Sequence, residues 1–215
     1  MPKSDFAEAV DRMQAALRPF LKENGFRVRG RTFNRETDDG LTQVVNIQMG
    51  ASDPPGTTYF PGLRENLHGL FTANLGVYVP EVAEHHGSRA GSWVQAHHCC
   101  IRTRLGEASG AETDLWWPAD ADETVVADVL NRLRLGGLPF LDRFATRERI
   151  LAGFVQMTAG CSPPRIVRAV ILAGRGKREE ARQLLSQQVG ESADHPGHQE
   201  YVRELAARLD VGSLD

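Results

Sequence analysis

Lysine and cysteine are both scarce in this chain of 215 residues. Only Lys3, Lys22 and Lys177 accompany 22 arginines, and the three cysteines, Cys99, Cys100 and Cys161, are odd in number with two adjacent, the wrong arithmetic for a disulfide framework. No apolar run approaches the roughly 18 residues that a membrane helix requires. Charges scattered from Met1 to Phe20 leave no apolar region of a secretory signal. These absences together point to the cytoplasm and away from a membrane. The net charge is −3 and no block of like charges interrupts the chain. That excludes a whole-protein electrostatic case for nucleic acid and leaves room only for a local patch.

Catalytic signatures are missing as well. There is no C-x-x-C pair and no H-E-x-x-H, and Glu81-x-x-Glu84-His85 has Glu where an inverted zincin motif needs its first His. Gly50-Ala51-Ser52-Asp53-Pro54 lacks the final Gly of a nucleophile elbow. Gly174-Arg175-Gly176-Lys177 lacks the spacing of a phosphate loop and follows a helix rather than a strand. The reading therefore leans away from an enzyme, and no cofactor is implied.

What is present is an ordinary globular composition, 41% hydrophobic and 25% charged. Phe6, Val10, Met13, Leu17, Phe20 and Leu21 form one stripe of an amphipathic helix that Asn24-Gly25 stops. The period then changes to two, predicting strands over 26–34, 41–49, 70–79 and 97–105, the first two joined as a hairpin at Asp38-Asp39-Gly40. Helical patterns follow over 123–135, closed by Gly136-Gly137, then from Thr146, from Ser162-Pro163-Pro164, over 177–189 and over 197–210. The expected fold is α+β: a four-stranded antiparallel sheet with the N-terminal helix packed on one face, in residues 1–138, followed by an all-helical appendage in residues 139–215. In a simple meander the 50–69 loop shares a sheet end with 106–114, and 80–96 shares the other with 35–40.

Three constellations are candidates for function. The long loop from Gly50 to Gly69, with the strand residue beside it, offers planar hydrogen-bonding groups and a ring at Arg35, Tyr59, Arg64, Glu65 and Asn66, the chemistry that protein-interface hot spots favour. His85, His86, His97 and Cys99 are possible metal ligands, although no ligand-spacing motif supports them and no metal residues are assigned. Arg27, Arg29 and Arg31 on the first strand and Arg102 and Arg104 on the fourth would line an anion- or nucleic-acid-binding strip if those strands were neighbours. A non-catalytic module for a protein partner ranks first, a metal-binding protein or metal-dependent hydrolase second, and nucleic acid or another anion third.

Several segments also resemble a known family. Gly30-Arg31-Thr32-Phe33-Asn34-Arg35, Val45-Asn46-Ile47-Gln48-Met49-Gly50, Gly62-Leu63-Arg64-Glu65-Asn66, Phe71-Thr72-Ala73-Asn74-Leu75-Gly76-Val77-Tyr78 and Trp116-Trp117 resemble the bacterial domain of unknown function 4304, over about residues 6–135. The resemblance implies the α+β sheet. It brings no catalytic residues to carry over, because the family has no assigned activity.

Overall fold

The structure, a computed structural model, describes residues 5–50, 67–111, 114–119, 123–153 and 163–214. Helix α1 (Asp5–Glu23) ends as its sequence predicts. Gly25 takes φ +83°, and the Phe26 amide donates back to the Leu21 carbonyl, closing the last turn.

The sheet has five main strands rather than the four expected, in the order β1 (Arg27–Arg29), β2 (Thr32–Glu36), β3 (Thr42–Met49), β4 (Leu70–Tyr78) and β5 (Ile101–Arg104), all antiparallel. A two-residue β6 (Trp117–Pro118) continues the β5 edge of β4. The first expected strand divides because Gly30, at φ +58°, turns the chain between the paired Arg29 and Thr32. At the last one, Ala96–His98 form a 3₁₀ turn and only 101–104 pair with β4 before the short helix α3 (Leu105–Ala108). Alternation alone does not distinguish a strand from a tight turn that leads into it.

The meander order places 35–40 and 80–96 at one end of the sheet, as expected, while residues 51–66 of the 50–69 loop lie outside the described residues. Arg147 joins Asp39 in the β2–β3 turn to Glu81 in α2 (Pro80–His85), so those segments share one end of the sheet. Thr72 Oγ1 donates to the Leu115 carbonyl (2.9 Å) at the other end.

One face of the sheet is apolar. Phe33, Val45, Ile47, Phe71, Leu75, Ile101 and Trp117 are buried there in one cluster with Val10, Met13, Leu17 and Leu21 of α1 and with Leu133 and Leu141. Helix α4 (Glu123–Arg132) runs through the Gly pair instead of ending there, by one π turn (Leu133–Gly137) into α5 (Leu138–Arg143). Pro139 has no N–H for the Leu135 carbonyl, and the Leu138 amide reaches back five residues to Leu133. The boundary expected at 138/139 falls inside this continuous helix. The helices α6 (Arg147–Gly153), α7 (Pro164–Gly174), α8 (Arg178–Glu191) and α9 (Pro196–Arg208) follow, and their apolar faces join the same buried cluster. No helix among the described residues is long and apolar enough to cross a membrane.

Candidate functional site: the polar face of the sheet

Side chains alternate across a sheet, so the pairing register fixes what the second face carries. One row crosses all five strands: Arg29 opposite Thr32, Thr32 opposite Asn46, Asn46 opposite Asn74, and Asn74 opposite Arg104. The flanking rows place Arg27 opposite Asn34 on one side of it and Gln48 opposite Thr72 on the other, with Arg102 opposite Gly76. The register therefore puts Arg27, Arg29, Arg102 and Arg104 on one face.

Adjacent polar groups on this face bond one another. Thr32 Oγ1 donates to Gln95 Oε1 (2.8 Å) and accepts from Asn46 Nδ2 (3.0 Å). Asn74 Nδ2 donates to Gln48 Oε1 (2.7 Å). Gln48 is exposed, and Asn46 and Asn74 are partly so. Among the described residues no hydrogen bond engages Gln48 Nε2 or Asn74 Oδ1, leaving a donor and an acceptor side by side on two mutually braced amides. At the β5 edge the Arg104 guanidinium lies 4.8 Å from the ring centre of Trp116 and pairs with Asp114 (3.3 Å). Trp116 donates to the same carboxylate (3.0 Å) and is itself only partly buried. Arg27 and Arg29 are exposed on the opposite edge, with no ion-pair partner among the described residues.

The segment after α2 forms a wall over part of this face. Val44, Tyr78, Ala83, Val94 and Cys99 make a second, smaller buried cluster beneath it. Gly76 makes the close approach possible: a Cβ there would lie 2.7 Å from Cys99 Sγ and 2.8 Å from Cys99 Cβ. Gln95 then reaches Thr32 from the wall. Asn34 is buried on the same face, and among the described residues its Oδ1 has no hydrogen-bond partner.

The residues singled out from sequence fall differently. Arg35 lies on the apolar face, where Nε donates to Gln43 Oε1 (2.7 Å), Nη1 to the Asn24 carbonyl (3.1 Å) and Nη2 to Asp142 Oδ1 (2.5 Å), with Phe26 beneath it. Those bonds tie β2, β3, the end of α1 and α5 together. Tyr59, Arg64, Glu65 and Asn66, like Cys161, lie outside the described residues.

His85, His86, His97 and Cys99 are not brought together. His86 stacks on Tyr201 of α9 and its Nδ1 pairs with the Tyr201 hydroxyl (2.9 Å). His98 Nδ1 accepts the Gln95 amide at the 3₁₀ turn, and Cys99 Sγ lies against the Gln95 carbonyl. Among the described residues no three His, Cys, Asp or Glu side chains gather as a metal-holding group. Burial holds His86 below the ordinary histidine range, with Arg208 and His85 adding to the effect, while burial raises the Tyr201 hydroxyl.

The arginine strip is half right. Its two ends share a face, but β1 and β5 are opposite edges of the sheet rather than neighbours, with three strands between. Arg31 leaves the strip, turning back to Asp11 (3.0 Å) and the Ala7 carbonyl of α1. Sequence reasoning passed over the amides between the two arginine edges. Their signal was present as Asn46 and Gln48 on one strand and Thr72 and Asn74 on the next, each set opposite an apolar face.

The fold is thus an α+β protein with a helix-covered apolar sheet face and a polar face walled at one end. No family model, curated protein or solved structure matches the chain.

Proposed function

We propose that this chain is a non-catalytic cytoplasmic binding module that engages its partner through the polar face of the sheet. The observation that carries this reading is the cross-sheet row Arg29, Thr32, Asn46, Asn74 and Arg104, in which braced amides leave unengaged hydrogen-bonding groups toward solvent. Holding such groups in place before binding reduces the ordering cost of association. The sheet presents the face, and helix α7 packs against α2. Kinship with the domain of unknown function 4304 is part of the same proposal and adds no activity to it.

A photo-crosslinking side chain placed at Gln48 tests the reading in the native host, with the same group at Glu204, an exposed position of α9, as control. A light-dependent adduct from position 48 and none from 204 is the expected result. No adduct at 48, or equal adducts at both positions, overturns it.

A further inference from the structure

The pattern of charge on the polar face narrows what it holds. Its cations stand at the two edges, Arg27 and Arg29 on β1 and Arg102 and Arg104 on β5, whereas the strands between carry the neutral groups Thr32, Asn46, Gln48 and Asn74. An acidic peptide presents carboxylates along its whole length, and over the middle strands those would meet amides with no charge to compensate them. A nucleic-acid strand presents two chemistries at once: phosphates for guanidinium groups, and neutral base edges for the paired donors and acceptors that Asn and Gln supply. The separation fits as well. Four inter-strand gaps of about 4.8 Å span about 19 Å, the length of roughly five or six nucleotides at about 3.4 Å each along a stacked strand. Trp116 at the β5 rim, partly exposed beside Arg104, supplies the flat ring on which a base stacks.

Resting on the binding-module reading above, we infer that the ligand of this face is single-stranded nucleic acid. It lies across the strands from Arg29 to Arg104, with bases over Asn46, Gln48 and Asn74. The unengaged Gln48 Nε2 and Asn74 Oδ1 meet a base edge as one donor–acceptor pair.

Fluorescence anisotropy on the full chain tests this with labelled single-stranded RNA and DNA 12-mers of mixed sequence, and with an oligoglutamate of equal charge. Each arginine that neutralises a phosphate contributes about −0.7 to the slope of log K against log salt. The double variant R27A/R29A, altered only at exposed edge positions, makes the slope shallower by about 1.4. Asn74→Ala leaves the slope unchanged and flattens the preference among homopolymers. Thermal melts of both variants that match the parent establish that they fold. Oligoglutamate binding as tightly as the oligonucleotides, or oligonucleotide binding indifferent to R27A/R29A, overturns the inference. A protease-sensitive, nuclease-resistant adduct at position 48 without oligonucleotide binding sinks this inference and leaves the binding module standing. Absence of any adduct at position 48 sinks both.

Discussion

Replacing Arg35 separates a structural role from a ligand-binding one, because its sequence context suggested an interface residue and its contacts describe a fastener. Arg35→Ala removes the charged donor from Gln43 Oε1, and Gln43 is 1% exposed. An acceptor buried without a partner costs about 1–3 kcal/mol. The lost contact over Phe26 adds about 0.5–1 kcal/mol. The ion pair with Asp142 adds little, since that carboxylate is 55% exposed and such pairs contribute about 0–1 kcal/mol. Together these give a loss of about 1.5–5 kcal/mol. In a chain of this size each kcal/mol lowers Tm by about 2–4 °C, so the midpoint falls by roughly 3–20 °C. Arg35→Lys recovers only part of it, because an ammonium cannot address Gln43, Asn24 and Asp142 with one planar fork. Urea unfolding and thermal melts, read alongside crosslinking at position 48, decide the matter. A stability change under about 0.5 kcal/mol accompanied by loss of the adduct would refute the structural assignment.

Gly76→Ala drives a methyl group into Cys99, costing about 1–3 kcal/mol by overpacking. Pairing it with Cys99→Gly recovers most of that loss in a double-mutant cycle, whereas additive effects would show that the wall does not rest on Gly76. Acidification supplies another test. His86 is depressed when folded, so its contribution is fully present above its unfolded value near 6.5 and is lost as the pH falls toward the folded value. Tm therefore declines on going from pH 7.5 to 5.5, and His86→Gln shows a shallower decline; identical pH profiles would remove His86 as the cause. Arg147→Ala leaves Glu81 and Asp39 facing each other without their bidentate partner, costing about 2–3 kcal/mol in urea unfolding. A loss equal to that of an exposed pair, under about 1 kcal/mol, would mean that the junction of α2, α6 and the β2–β3 turn is held by other contacts.

The parts legible in the sequence were those with local causes. The stripe from Phe6 to Leu21 and the Asn24-Gly25 stop give α1 almost to the residue, and Asp38-Asp39-Gly40 marks the β2–β3 hairpin. Alternation located β3 and β4, because each has one apolar and one polar face. It failed at Gly30 and at Ala96–His98, where a turn continues the alternating pattern without being part of a strand. The Gly136-Gly137 pair reads as a stop, yet Pro139 and the close approach of Gly136 to Ala108 and Ser109 make it a π turn inside a longer helix, which only packing decides. The polar site was half legible for the same reason. Each arginine's face follows from its strand, but which strands lie between the two edges is a matter of sheet order. Arg35 could not be assigned from its own neighbours, since Asp142 lies 107 positions away.

Hydroxyl-radical footprinting of the full chain, in buffer and in native host lysate, bears most directly on the claim that the polar face is the working surface. Trp116 beside Arg104 is oxidised in buffer and protected in lysate, while Leu135, exposed in the π turn between α4 and α5, is oxidised equally in both. Equal oxidation of Trp116 in buffer and lysate would contradict the account.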